Sequence, residues 1–246
     1  MTERPHFPPV YRAYAITADL DPFDRAVEMA KEGTEAGTLL WSARQDVFEC
    51  AVVLAPENSL ENSLPVLLVA SLGLGDALGA LIPPVIAVTF GWPDRIEVNG
   101  GAAGKIRLII ADTPNPTAIP DWLVIGFNLD NAGQSQEGME QGHMRDGREV
   151  TTLKAEGCPI DLLDLLESFS RHFLAWINRW QGDGVQPVQQ AWMSRTLEVG
   201  KSVSIDVDGR RREGTFKGLN ELCGLELVDQ GRHYVIPLDA AIKTSP

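Results

Sequence analysis

Cysteine is scarce in this sequence. Its 246 residues include three cysteines, Cys50, Cys158 and Cys223, which lie far apart in the chain. Zinc sites use cysteines or histidines at short paired spacings, and a disulfide framework uses an even number of cysteines. The sequence therefore lacks a zinc motif and a disulfide scaffold. It predicts three free thiols, favours a reducing compartment and gives no reason to expect a metal site.

Basic side chains are also few. The chain has 21 lysines and arginines against 34 aspartates and glutamates, which gives a formal net charge of -13. Proteins that bind nucleic acid or anionic membranes without sequence specificity carry basic patches or tails, and this chain has no basic tail. We expect neither nucleic acid nor a membrane as a partner.

Long hydrophobic runs are missing as well. No uninterrupted apolar run approaches the ~20 residues that a membrane-spanning helix requires. The N-terminal stretch MTERPHFPPVYRAY has no apolar segment of signal-peptide length. The sequence therefore predicts a cytoplasmic protein.

The first third of the chain combines a capped helix with a strand pair. Asp21 is a candidate N-cap and Pro22 suits a first helical turn, so the pattern predicts a helix over residues 22–31. Residues 38–43 and 48–57 are rich in β-branched and aromatic side chains and flank the polar turn Arg44-Gln45-Asp46. They predict a β-hairpin.

The middle of the chain alternates one apolar helix with several strands. Residues 64–81 predict a buried helix, in which close packing of another element would explain two internal glycines. Four strands follow, at residues 85–90, 95–100, 105–112 and 121–130, with an Asn-Gly hairpin signal at 99–100. A stretch of loop composition then leads to a long amphipathic helix that begins near residue 161.

The last sixty or so residues change character. GDGVQP, residues 182–187, marks a boundary, and short β segments separated by polar turns follow it. This pattern is typical of a small barrel. We therefore divide the chain into a larger domain, residues 1–187, and a second, all-β domain, residues 188–246.

The order of these segments resembles that of the biotin and lipoate protein ligase superfamily, and most closely that of the biotin protein ligases. The resemblance rests on GTLLWSA, AVVLAPE, GDAL, GWPDRIEVNGGAAG, DWLVIGFNLD and TTLKAEG, followed by the C-terminal strands. It implies an α+β fold: a mixed β-sheet with flanking helices, plus a small C-terminal SH3-like β-barrel.

The resemblance also implies an activity and a site. These ligases activate a carboxylic acid with ATP and magnesium to an acyl-adenylate, and then transfer the acyl group to a lysine of an acceptor protein. The implied partners are a biotin- or lipoate-like acid and an acceptor or carrier protein, and a dimer is compatible with the family. The implied ligand-binding positions are Arg44, Trp92, Pro93, Asp94, Arg95, Gly100, Gly101, Gly104, Gly126 and Asp130.

Several charged positions of the ligase motifs are altered. In the Lys-Trp-Pro-Asn-Asp motif, Gly91 takes the place of the lysine, Asp94 that of the asparagine and Arg95 that of the aspartate. Gly101 replaces a second lysine, Asp130 replaces the asparagine of the Gly-x-Gly-x-Asn strand, and the adenylate-binding loop is absent or reduced to a turn. Loss of one preorganised charge-stabilising donor costs roughly 10²–10³ in rate.

Two nearby cations are candidates for a relocated catalytic role. Lys105 and Arg107 alternate along one strand and so share a face. A solvated strand lysine is the simpler interpretation of Lys105, and a surface ion pair is an equal alternative to an anion site at Asp94 and Arg95. The glycines near residue 100 favour turn chemistry over a phosphate cradle.

Three functions remain open on this sequence. The first is a divergent ligase or acyl transferase, and the second is a ligase-fold binding protein that has lost adenylation. The third is transfer from a pre-activated donor, with Cys158 as nucleophile if the N-terminus of the following helix lowers its pKa.

Overall fold

The computed structural model describes residues 5–132, 144–145, 148–158, 160–207 and 209–241. The helices are α1 (Pro22–Lys31), α2 (Leu60–Ser63), α3 (Val66–Leu81), α4 (Leu162–Asp183), α5 (Gln186–Met193) and α6 (Leu238–Ala241). The strands are β1 (Arg12–Ile16), β2 (Thr38–Ser42), β3 (Val47–Leu54), β4 (Val88–Gly91), β5 (Arg95–Val98), β6 (Gly101–Ile110), β7 (Leu123–Asp130), β8 (Met144–Arg145), β9 (Arg148–Glu149), β10 (Ser202–Val207), β11 (Arg210–Leu219), β12 (Leu225–Asp229) and β13 (Arg232–Ile236).

A seven-stranded mixed sheet organises the chain, in the order β1-β2-β3-β7-β6-β5-β4. Only the β1–β2 pair is parallel, and α1 is the crossover between these two strands. The remaining neighbours are antiparallel. The sequence missed β1, because this edge strand is largely exposed and carries too few buried apolar side chains to stand out from the proline-rich arm.

Helix α1 covers one face of the sheet and begins as the sequence predicted. The Asp21 carboxylate accepts hydrogen bonds from the amides of Phe23, at 2.8 Å, and Asp24. Such a cap is worth ~1 kcal/mol, because it satisfies amides that have no partner inside the helix. The apolar face of α1 packs on side chains of β2, β3 and β7.

Helices α3 and α4 cover the other face and form the main core. A Cβ on Gly73 would lie 2.8 Å from the Phe173 Cα, and one on Gly75 would lie 2.7 Å from the Phe90 ring. Both glycines therefore exist for close packing, as predicted. The segment Leu60–Leu81 has the length and composition of a membrane span, but 78% of its apolar window is buried, as in a core helix.

The β5–β6 hairpin turns at the predicted dipeptide. Asn99 has φ 50° and Gly100 has φ 86°, and two left-handed residues in succession match the twist of the flanking strands. A register shift follows on β6, where one residue is left out of the ladder between Ala102 and Gly104. This bulge sets which side chains of β6 face α1.

The C-terminal strands form a four-stranded antiparallel sheet, in the order β10-β11-β12-β13. Its buried side chains, among them Phe216, Cys223 and Leu225, belong to the same hydrophobic cluster as α3 and α4. The short helix α5, which the sequence missed, packs against α3 and α4 just before this sheet. Proline and glycine at residues 182–187 concealed it, although proline is favoured at a helix start.

Candidate functional site

The residues singled out by the sequence lie mainly on the sheet face that α1 partly covers. Side chains alternate across a strand, and Ile106, Phe127 and Leu129 point into the α3–α4 core. Lys105 is paired in register with both Arg95 and Asn128, and Arg107 with Gly126, so these side chains share the opposite face. We call this surface, between α1 and the β4 edge, the α1 face.

Phe23 of α1 occupies the α1 face over Gly126. A Cβ on Gly126 would overlap the Phe23 ring, so the glycine is required by this contact. The Arg107 guanidinium stacks over the other part of the ring, 4.1 Å from its centroid. The predicted ligand-binding glycine is therefore covered by the protein's own aromatic side chain.

Arg107 is held by two carboxylates from the start of α1. Its guanidinium donates to Asp21 at 2.5 Å and to Asp24 at 2.7 Å. The sequence correctly placed Arg107 beside Lys105, but its partners lie more than 80 residues earlier in the chain and no local pattern reveals them.

The β2–β3 connection consists of the four residues 43–46. Arg44 donates to Asp46 at 2.6 and 3.1 Å and lies 3.8 Å from Glu49. The hydrogen bond from Arg44 lowers the pKa of Asp46. Burial raises the pKa of Glu49, and the opposing attraction of Arg44 only partly offsets this.

Further acidic and amide side chains lie on the α1 face near the end of β7. The Asn128 side-chain amide donates to Glu49 at 3.1 Å, and Arg145 donates to Asp130 at 3.0 Å. Burial raises the pKa of Asp130, although Arg145 opposes the shift. The resemblance implies a neutral asparagine at position 130. The structure has there a half-buried aspartate, Asp130, that accepts a hydrogen bond from Arg145.

Arg95 forms the most buried ion-pair cluster of the described residues. It donates to Glu97 at 2.8 Å and to Glu198, and Arg148 reaches the same two carboxylates at 3.3 and 3.4 Å. Burial alone would lower the pKa of Arg95, but Glu198 and Glu97 together raise it. A Cβ on Gly91 would overlap the Arg95 guanidinium, so Arg95 fills the space next to the backbone where the family motif places a lysine.

Trp92 and Pro93 serve packing in this structure. Trp92 is 1% exposed, and its indole donates to the Cys223 carbonyl at 2.9 Å. The Trp92–Pro93 peptide bond is cis. The main chain of Asp94 accepts a hydrogen bond from the Ile106 amide at 2.9 Å. The motif thus joins the sheet to the C-terminal strands.

The glycines after the hairpin are also accounted for by close approach. A Cβ on Gly101 would lie 2.7 Å from the Thr151 methyl group, and one on Gly104 would overlap the β7 backbone at Asn128. Gly100 provides the left-handed turn. The sequence predicted turn chemistry for these glycines; Gly100 has it, whereas Gly101 and Gly104 are explained by close packing, which the sequence did not predict.

The structure contradicts the proposed activation of Cys158. All three cysteines are buried free thiols. Burial, reinforced by Glu156, raises the pKa of Cys158. Helix α4 begins four residues after Cys158, at Leu162, and the Asp161 carboxylate accepts a hydrogen bond from the Leu163 amide at 2.7 Å.

The α1 face does not fit ATP. Among the residues that the structure describes, each of the five arginines of this face is paired with a carboxylate, so none can bind a triphosphate without breaking a pair. The described residues of this face include seven acidic side chains, Asp21, Asp24, Asp46, Glu49, Glu97, Asp130 and Glu198. They include six basic side chains, Arg44, Arg95, Lys105, Arg107, Arg145 and Arg148. Over the described ranges, no group of three or more His, Cys, Asp or Glu side chains is placed to hold a metal ion.

Sequence reasoning missed Phe23, Glu49, Glu97 and Glu198. Glu97 had a usable signal, because a residue two positions after Arg95 on a strand lies on the same face. Phe23, at the start of a helix whose apolar face is buried, and Glu198, in the connection between α5 and β10, carry none.

Comparison with known proteins places this geometry in a family. Residues 7–194 match the model of the biotin/lipoate A/B protein ligase family. The chain is 24% identical over 198 residues to the biotin–[acetyl-CoA-carboxylase] ligase of Paracoccus denitrificans, covering 80% of each chain. The biotin protein ligase of Aquifex aeolicus superposes with a TM-score of 0.75 at 16% identity, over 94% of this chain and 97% of that one.

A nearer relative has a solved structure. The crystal structure of a biotin protein ligase-like protein of unknown function from Silicibacter sp. TM1040 superposes with a TM-score of 0.87. That relative is 34% identical, and the match covers 97% of this chain and 99% of the other. With a family match spanning most of the sequence and the expected mixed sheet with flanking helices, the chain belongs to the biotin/lipoate A/B protein ligase family.

Proposed function

We propose that this protein is a ligase-fold binding protein that does not adenylate its ligand and that engages a carrier domain through the α1 face. The observation that carries the proposal is the internal pairing of the arginines on that face, where the described residues include one carboxylate more than cations. In adenylation a carboxylate attacks a phosphate, and negative charge builds up in the transition state. The reaction therefore requires fixed cations that are not already paired and can stabilise this charge. A face with this charge is better suited to a positively charged lysine side chain than to an acid or a nucleotide.

Phe23 supports the same conclusion. Its ring covers Gly126, and a small acid on the α1 face would first have to displace it. A carrier domain docks by surface contact and does not require that the ring move. The Paracoccus denitrificans relative is named for its action on acetyl-CoA carboxylase, so the biotin carrier domain of a carboxylase is the partner to test first.

The test is titration calorimetry with the unmodified carrier domain, ATP–magnesium, biotin and lipoate, singly and in pairs. The Paracoccus denitrificans ligase is the positive control. We expect binding of the carrier domain that ATP leaves unchanged, and weaker binding when the acceptor lysine of the carrier is replaced by alanine. Release of AMP, or carrier binding that is indifferent to that lysine, would overturn the proposal.

A divergent ligase or acyl transferase is the second candidate. Membership in the family favours it, as does the placement of Lys105 and Arg107 on one face. If the protein is a ligase, a biotin- or lipoate-like acid should bind more tightly in the presence of ATP–magnesium. Its affinity should fall at least tenfold in Lys105→Ala. Without such coupling the binding-protein proposal stands.

We further propose a cytoplasmic protein whose C-terminal strands complete an SH3-like barrel over residues 188–246, attached to the larger domain at residues 1–187. The four-stranded antiparallel sheet supports a separate C-terminal unit, and helix α5, which crosses residue 187 and packs on α3 and α4, would connect it to the larger domain. Dimer formation is proposed from the family alone, and sedimentation equilibrium would test it.

A further inference from the structure

A cavity on the other side of the sheet has properties that neither ligase chemistry nor carrier binding uses. It has a volume of about 650 Å³ and lies beside the ends of β3 and β7, between the N-terminal arm, the last turns of α4 and the loop that joins β11 to β12. This volume lies in the range of small-molecule sites.

The walls of the cavity are apolar. Leu54, Leu123, Leu174, Ile177 and Trp180 line it, from strands on one side and α4 on the other. Two large hydrophobic side chains of its lining remain exposed to solvent, Val10 at 52% and Leu222 at 39%. Exposed apolar side chains that converge on one concavity mark a binding site more often than scattered ones do.

The charge of the cavity is of one sign. Its lining includes the carboxylates of Glu57 and Glu221 and no lysine, arginine or histidine. In the part of the chain that the structure describes, neither carboxylate forms an ion pair. This contrasts with the α1 face, where the acidic groups are tied to arginines.

We infer that this cavity binds an amphiphilic amine, with the apolar chain against α4 and the ammonium group at the Glu57–Glu221 rim. Burial of the apolar chain supplies affinity that grows with each methylene group removed from water. The unpaired carboxylates select a cation over an anion, so the site rejects fatty acids and the carboxylic acids that ligases of this family activate. Neutral amides on the rim, Asn58, Asn62 and Asn178, offer additional hydrogen bonds to the head group.

Three ligands of equal chain length test the charge preference. Decylamine, decanol and decanoate, each below its micellar concentration, are titrated into the full-length protein by calorimetry. We expect one decylamine per chain, weaker binding of decanol and the weakest binding of decanoate. Decanoate binding as tightly as decylamine would overturn the inference, as would the absence of binding by all three.

Variants locate the site. Both Glu57 and Glu221 are exposed, so replacing them with glutamine preserves the fold. We expect Glu57→Gln/Glu221→Gln to weaken decylamine binding about tenfold and to leave decanol unchanged, because only the former ligand carries charge. The control Glu28→Gln/Glu32→Gln removes the same charge from two exposed positions, one in α1 and one directly after it, on the other side of the sheet, and should leave both affinities unchanged.

A blocking variant tests the cavity itself. Ala55 is exposed and lines the cavity, and Ala55→Trp would fill part of it without disturbing the core. We expect decylamine binding to weaken at least tenfold while the melting temperature stays within about 2 °C. Unchanged binding in Ala55→Trp would place the amine elsewhere and overturn the inference.

Discussion

Gly91 is the residue at which this chain departs most visibly from the ligase motif. A lysine here would restore the family's residue, but its Cβ would overlap the Arg95 guanidinium, which Glu97 and Glu198 hold in place. A side chain at position 91 and the observed position of Arg95 therefore exclude each other.

The corresponding prediction is that Gly91→Lys destabilises the fold and restores no activity. Overpacking of a buried position costs about 1–3 kcal/mol. Chemical denaturation would measure this loss, with Gly182→Lys as the control, because a Cβ at Gly182 meets no atom within 4 Å. Equal stability of the two variants would show that Arg95 can move aside, and ATP-dependent activity in Gly91→Lys would revive the ligase candidate.

Two neighbouring carboxyl groups on the α1 face should give stability changes of opposite sign. The pKa of Glu49 is raised in the folded state by burial, so folding binds protons there, and its ionisation lowers stability as pH rises above the ordinary carboxyl range. The pKa of Asp46 is lowered by the hydrogen bond from Arg44. Its contribution is present at neutral pH and is lost as pH falls through the folded pKa.

We therefore expect Glu49→Gln to raise the melting temperature at pH 7 relative to its effect at pH 4, and Asp46→Asn to do the reverse. Each change should be about 1–3 °C, as expected for less than 1 kcal/mol in a protein of this size. Melting curves of the two variants and the unmodified protein at both pH values would measure it. Changes of the same sign would contradict the assignment.

At the scale of elements, α3 shows how packing overrides helix propensity. Gly73 and Gly79 lie in the same helix, yet α4 crosses one and nothing within 4 Å faces the other. Alanine is about 1 kcal/mol better than glycine in a helix interior, so propensity alone favours both substitutions.

The prediction is that Gly73→Ala destabilises by about 1–3 kcal/mol, because its Cβ would press on the Phe173 backbone. Gly79→Ala should be neutral or stabilising by up to about 1 kcal/mol. The free energies of unfolding from urea titrations measure both. A stabilising Gly73→Ala would mean that α3 and α4 separate more easily than their contact indicates.

An element could be predicted when the residues that determine it are close together in the sequence, and not when it depends on contacts with distant residues. Helix α1 has the bounds that Asp21 and Pro22 predicted, since caps act within a few residues. The Asn99-Gly100 hairpin formed for the same reason. The edge strand β1 and helix α5 depend on distant neighbours and were missed. The family motifs led to the α1 face, but pairs such as Arg107 with Asp21 join residues distant in sequence and needed the fold.

The whole molecule is joined through the Arg95 cluster and the core beside it. Arg95 belongs to β5, while Glu198 precedes β10 of the C-terminal sheet. Close by, Trp92 donates to the Cys223 carbonyl, and Phe90 stacks on Trp192 with ring centroids 6.2 Å apart. The larger domain and the C-terminal strands should therefore unfold together, even though the sequence suggests a boundary between them.

Removing Arg95 tests this coupling. Arg95→Met would leave the buried Glu97 and Glu198 with Arg148 as their one ion-pair partner among the described residues, and Glu97 with the Thr89 hydroxyl as a neutral donor. Breaking a buried ion pair on one side costs about 3–5 kcal/mol. We expect amide hydrogen exchange to accelerate together in β4–β6 and in β10–β13. The triple variant Arg95→Met/Glu97→Gln/Glu198→Gln should recover much of the stability, because no buried carboxylate is left unpaired and the remaining charge, that of Arg148, is one-third exposed to solvent. Faster exchange confined to one of the two sheets would show that they are separate cooperative units joined only by contact.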